Sequence, residues 1–177
     1  ATLEKYPSIN PNIRFSATYY DAWMPMPERM CMEMILDAEE ANEQAMALNY
    51  MGVTDGAEDT VTLTDEANGQ SYIVRPKVVI NAAGPWIDFV NKAMDQQTDF
   101  IGGTKGSHLI IDNPRLRDAV GDSEIFFENE DGRIVLILPY NERVMLGTTD
   151  IRIDNPDEAV CTEEEIDYML SMVPHVF

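Results

Sequence analysis

Residues 124–148 read EIFFENEDGRIVLILPYNERVMLGT, and the fold class turns on this stretch. Asp131-Gly132 is a two-residue hairpin signal between Glu124–Glu128 and Arg133–Leu138. The run Ile134–Leu138 is continuously apolar, as a central strand covered by its neighbours must be. Pro139–Glu142 forms a turn, and Arg143–Thr148 returns beside the central strand. Upstream, His108–Asp112 has the same strand character. The spacing predicts an antiparallel sheet in the last third of the chain. Downstream, Thr162-x-x-Glu165 has capping-box spacing. It opens a helix whose buried stripe is predicted as Ile166, Met169, Leu170 and Val173.

Working toward the N-terminus, the Lys77–Asn81 segment holds Val78, Val79 and Ile80 in a row and predicts a strand covered on both faces. It runs into Ala82-Ala83-Gly84, and Pro85 sits where a first helical residue would be. Before it, Asn49–Thr54, Thr60–Thr64 and Ser71–Pro76 predict a small β-meander with a turn at Asn68-Gly69. Glu28 to about Leu48 predicts a helix with a buried stripe of Cys31, Met34, Ala38, Ala41 and Ala45. Arg14–Tyr20 predicts a short strand, after turn chemistry at Tyr6–Pro11. The expected class is α+β.

The charge balance narrows the partners. The 177 residues carry 12 Lys plus Arg against 32 Asp plus Glu, a formal net charge of -20. Such a chain repels phosphate backbones and anionic membrane surfaces, so nucleic acid is not an expected partner. An anionic small molecule needs a local positive pocket. The two cysteines, Cys31 and Cys161, make neither a zinc cluster nor a disulfide framework, and no metal is expected. The chain begins at Ala1 without methionine and ends at Val176-Phe177 without a helix stop signal, so a fragment of a larger protein is expected.

Three stretches have residues suited to chemistry. Gly102–His108 offers three glycines, the cation Lys105 and the titratable His108, a set that fits an anionic substrate beside a proton acceptor. It fits a flexible loop entering a strand as well, and on the residues alone that is the better reading. Gly147-Thr148-Thr149-Asp150 follows a buried strand and reads as an ordered turn or as a pocket wall. Asn81–Trp86 allows close approach of a flat ligand, and a tight turn before a helix needs the same residues. Arg133 is a phosphate ligand or a surface cation. No G-x-G-x-x-G occurs, so the usual pyrophosphate cradle is absent.

The stretches Tyr20-Asp21-Ala22, Val79–Trp86, Lys105–His108, Asn129–Arg133 and Gly147–Asp150 occur together in this order. In that combination the chain resembles the middle portion of bacterial FAD-dependent glycerol-3-phosphate dehydrogenases and the related alpha-glycerophosphate oxidases. The likeness runs from about Tyr19 to the end. It implies a D-amino-acid oxidase-like flavoprotein, with an FAD domain and a substrate domain built on an antiparallel sheet. Residues 14–48 and 98–177 are then expected mostly in the substrate domain, and 49–97 mostly in the FAD domain.

The implied reaction oxidises glycerol 3-phosphate to dihydroxyacetone phosphate, with electrons passed to quinone, or to oxygen in the oxidases. The resemblance also implies a cytoplasmic protein held peripherally at the inner membrane face. It implies catalytic roles for His108, Lys105 and Arg133, with His108 the base and the two cations holding substrate or steadying the reduced flavin. Thr148, Thr149 and Asp150 are implied near the substrate, and Val53, Ala82, Ala83, Gly84 and Trp86 beside FAD. The chain by itself is expected neither to bind FAD tightly nor to turn over, and its exposed domain interface is expected to allow a homodimer. The rivals are an amino acid or sarcosine oxidase of the same fold and a non-catalytic binding domain.

Overall fold

The computed structural model describes residues 2–177. It divides into two compact units. One is the chain up to Trp23 together with Gly103–Phe177, and the other is Met24–Gly102. Residues 24–48 fall in the same unit as the meander.

In the first unit, α1 is the short helix Thr2–Lys5. The sheet is built from β5 (His108–Ile111), β6 (Ile125–Glu128), β7 (Ile134–Tyr140) and β8 (Arg143–Gly147), in the spatial order β5-β8-β7-β6. All pairs are antiparallel. β7 is therefore interior, as its unbroken apolar run requires. Register puts Leu109, Leu146, Ile137 and Ile125 in one cross-strand row. Alternate residues share a face, so Val135 and Val144 join that row's face. This face meets α5 (Glu163–Val176), and the core is Val120, Val135, Ile137, Val144, Leu146, Met169, Met172 and Val176. A two-stranded ribbon, β4 (Thr104–Lys105) with β9 (Ile151–Arg152), joins the two loops that flank β5 and β8.

Two features of this unit differ from expectation. The buried stripe of α5 is Glu165, Met169, Met172 and Val176, whereas Leu170 is 46% exposed. The stripe runs i, i+4, i+7, i+11, and the charged residue at its head hid its true phase. Helix α4 (Pro114–Val120) was not anticipated, although its signals are in the sequence. Asn113 caps it by accepting from Leu116 N at 3.1 Å, Pro114 opens it and Gly121 follows it. Arg14–Tyr20 is not a strand; Phe15, Tyr19 and Tyr20 stand exposed, with no strand paired to them among the described residues.

In the second unit, β1 (Met51–Gly56), β2 (Val61–Asp65) and β3 (Ser71–Val74) form the expected antiparallel meander. A register shift between Val53 and Asp55 leaves Thr54 as an extra residue in β1. Helix α2 (Pro27–Ala41) ends well before Leu48. Asn42 is extended there, and its side chain accepts from Gln44 N at 3.0 Å, a local bond that competes with further helix. The predicted stripe is not buried, since α2 buries no residue and Met34 is 63% exposed. Within this unit no second apolar surface covers it.

The predicted strand at Lys77–Asn81 is also corrected. The segment is irregular, and Val78 and Ile80 are 75% and 84% exposed. A continuous apolar run becomes a covered strand only with strands beside it, and no strand of this unit pairs with it. The turn after it forms as expected: a tight turn at Gly84–Trp86 leads into α3 (Ile87–Ala93).

The core of the first unit should respond as a close-packed interior. Ile137→Ala, at the centre of β7, is expected to destabilise the unit by about 2–5 kcal/mol. Urea denaturation of the purified protein checks this, and a midpoint equal to wild type would place the core elsewhere.

Candidate active site

Strand register delivers two of the sequence candidates to one place. β5 and β8 pair His108 with Gly147, and β7 pairs Leu136 with the same Gly147. His108 lies across the glycine so closely that an added Cβ would fall 2.8 Å from its Nε2. The residue before His108 and the residues after Gly147 are joined just as closely. Thr149 Oγ1 accepts from Ser107 N at 2.9 Å, and Thr148 Oγ1 donates to Ser107 O at 3.2 Å. Gly106 permits this approach, because a Cβ there would lie 2.6 Å from Thr148 Oγ1 and 2.9 Å from Thr149 O.

Below this junction sits a buried carboxylate that sequence reasoning took only for a helix cap. Glu165 is 2% exposed. Its Oε1 accepts from Ser107 Oγ at 2.8 Å and from Thr149 Oγ1 at 2.6 Å. Its Oε2 accepts from Thr162 N at 2.9 Å and from Lys105 Nζ. Lys105 also donates to Val160 O and is largely buried. The carboxylate thus has four donors, the full complement of its lone pairs. Burial pushes the Glu165 pKa up. The bonds from Lys105, Thr149, the Thr162 amide and Ser107 outweigh burial and hold it down at about 2. A depressed carboxylate pKa contributes stability above the unfolded value, here 4.5. That contribution is lost as pH falls toward about 2.

The other candidates of this unit are placed as follows. Asp150 is exposed, directly after the buried Thr149. Arg133 directly precedes β7. Its Nε faces Asp131 Oδ2 at 3.5 Å, and the same oxygen accepts from Tyr168 of α5 at 2.6 Å. The Tyr168 hydroxyl, with help from the Arg133 amide and guanidinium, holds the Asp131 carboxyl below its ordinary value.

Val53, Ala82, Ala83, Gly84 and Trp86 lie in the second unit. Asn81 ties the turn together: its side chain donates to Ile87 O at 3.0 Å and Asn91 Oδ1 at 2.7 Å, and accepts from Ala83 N at 3.1 Å. The polar chain continues through Asn91 and Thr98 to Asp88, whose carboxylate accepts from the amides of Phe100 and Ile101. The hydroxyl of Thr98 and those amides hold Asp88 below the usual carboxylate value. The turn is thereby fixed from behind while its outer side stays open. Ala82 is exposed, and at Gly84, with φ +55, nothing lies within 4 Å of where a Cβ would be. Small, exposed residues on a fixed turn fit close approach by a flat cofactor. Val53 is half-buried in β1, at the edge of the register shift. Among the described residues, no group of His, Cys, Asp and Glu is arranged to hold a metal ion.

Comparison with known proteins gives this geometry its family. The model of the FAD dependent oxidoreductase family matches residues 1–177. The chain is 32% identical to the aerobic glycerol-3-phosphate dehydrogenase of Staphylococcus haemolyticus over 99% of its own length and 32% of the relative's. It is 31% identical to the glycerol-3-phosphate dehydrogenase of Synechocystis over 90% of the chain and 31% of the relative. A solved structure of the glycerol-3-phosphate dehydrogenase from Bacillus halodurans complexed with FAD superposes with a TM-score of 0.66. It is 26% identical and covers 83% of this chain and 31% of that one. The chain belongs to the FAD dependent oxidoreductase family, and it spans about a third of the length of the relatives it matches.

The close fit of His108 over Gly147 makes a sharp prediction. Gly147→Ala is expected to displace the imidazole while leaving the β5–β8 pairing in place, measured as a shift of the His108 side-chain NMR resonances. Unchanged His108 resonances would show that the ring does not lie on the glycine.

Proposed function

We propose that this chain supplies part of the active site of an FAD-dependent glycerol-3-phosphate dehydrogenase, which oxidises glycerol 3-phosphate to dihydroxyacetone phosphate. The observation that carries this reading is the joining of Lys105–His108 to Gly147–Asp150 through shared hydrogen bonds. The chain is also similar, over 99% and 90% of its length, to two dehydrogenases named for this substrate. When bound, FAD supplies the acceptor for the hydride that leaves the secondary alcohol carbon. The electrons then pass to a quinone.

The chain's own residues have separable tasks. His108, exposed at the start of β5, takes the alcohol proton at its imidazole. Arg133 is 38% exposed, and its carboxylate partner Asp131, at 3.5 Å, is one that a doubly charged phosphate can displace. Thr148 and Asp150 border the substrate beside His108, and Thr149 fixes them to the loop before it. The Ala82–Gly84 turn, with Val53 and Trp86, borders the cofactor. Residues 14–48 and 98–177 belong mostly to the substrate domain and residues 49–97 mostly to the FAD domain. The pyrophosphate cradle comes from outside these 177 residues, so the isolated chain binds FAD weakly and does not turn over. The complete protein works peripherally at the cytoplasmic face of the inner membrane, and the isolated chain, with its domain interface exposed, pairs as a homodimer.

The test is turnover of glycerol 3-phosphate by the full-length protein, with a quinone analogue and with oxygen as alternative acceptors. His108→Ala is expected to lower kcat by about 100-fold or more, the usual contribution of a positioned base. Unchanged turnover would remove the base assignment. Peroxide release at the quinone rate would move the protein to the oxidases, and preference for sarcosine or an amino acid would overturn the substrate.

A further inference from the structure

Resting on the reading above, we propose that Glu165 is a positioning residue for the reaction, setting the spacing between the Lys105–His108 loop and the Gly147–Asp150 turn, with Lys105 as its buried counter-charge. A helix cap needs only one of the four bonds that Glu165 accepts, the one from Thr162 N. The other three come from Lys105, Ser107 and Thr149, on two segments distant in sequence from the helix and from each other. Ser107 immediately precedes His108, and Thr149 lies between Thr148 and Asp150. Every candidate on the two segments is therefore within one residue of a Glu165 contact or is itself one.

The chemistry favours registry over simple stability. A buried ion pair is commonly no more stable than apolar residues of the same volume, because each ion loses its water. Met169, Met172 and Val176 continue the same stripe of α5 with apolar side chains. A carboxylate at its head instead accepts directional bonds from both loops, and a Leu or Met there would leave Lys105, Ser107 and Thr149 without their acceptor. Lys105 is thus occupied as a structural cation. Two of the three N–H groups of its amine go to Glu165 and Val160 O, and Glu165 balances its charge, so the proposal assigns the substrate phosphate to another cation.

The experiment compares Glu165→Gln, Ser107→Ala and Lys105→Met with wild type in the full-length protein. Two measurements are made: steady-state kinetics with glycerol 3-phosphate, and amide hydrogen exchange at residues 104–108 and 147–150. Glu165→Gln keeps the volume but loses the charge facing Lys105. It is expected to lower kcat about 10-fold or more while KM moves less than about threefold, because misplacement of a reacting group acts on the transition state. Exchange at both segments should quicken. Ser107→Ala removes one bond and leaves the ion pair, so it should show the same signature in smaller measure, and it remains informative if the charge variant does not fold. Lys105→Met should resemble Glu165→Gln; a large rise in KM with kcat unchanged would make Lys105 a substrate ligand and overturn its assignment. Lower thermal stability with wild-type kcat per flavin-loaded site would overturn the positioning role. If wild-type protein does not oxidise glycerol 3-phosphate, the functional reading fails, and the exchange data alone then decide the role of Glu165.

Discussion

The buried carboxylate of Glu165 is the constraint on which the sheet unit's chemistry depends. Taken out of water, it has to be met donor for donor. The fold meets it with a lysine, two hydroxyls and a helix amide drawn from three parts of the chain. Satisfying that one group brings the loop before β5 onto the turn after β8. It also starts α5 at the point from which Met169, Met172 and Val176 reach the core. Packing and polar chemistry are thus two ends of the same helix stripe. The apolar end holds the sheet, and the charged end holds the loops in which the candidate residues lie.

The pattern of residues made much of the sheet legible. An Asp-Gly turn between two apolar runs has few other outcomes, and β6, β7 and β8 form close to where it predicts, although β7 continues through Pro139 and Tyr140, which the pattern assigns to the next turn. The capping box at Thr162 and Glu165 forms as well. What the pattern hid was the second use of Glu165. A Glu at the third helical position reads as a cap, and nothing local says that its second oxygen faces inward. Leu170 was taken for a core residue for the same reason: placing the charged residue outside rotates the whole stripe. Lys105 read as a free cation because its partner is 60 residues away in sequence.

The meander unit shows the opposite failure. There the local signals were strong and the expected burial did not follow. Val78, Val79 and Ile80 are exposed, and α2 buries none of its methionines. Apolar character measures a tendency to be covered, and the covering surface is a separate requirement. The turn at Asn81–Trp86 succeeded because its requirements are local: an Asn to tie it, a Gly at positive φ and a Pro to start the helix. The candidate site divides the same way. The Ser107–Thr149 junction needed long-range register and was seen only in three dimensions, whereas the small-residue turn was visible as a string. The family likeness joined these stretches in sequence before their geometry did.

The central claim is that Lys105 and Glu165 act as one coupled unit inside the sheet domain. A double-mutant cycle on stability tests this most directly, using Lys105→Met, Glu165→Gln and the pair. Residues that share a buried charge and its hydrogen bonds are expected to deviate from additivity by more than about 0.5 kcal/mol, with the double variant less destabilised than the two single losses combined. Strict additivity of the two substitutions would contradict the account.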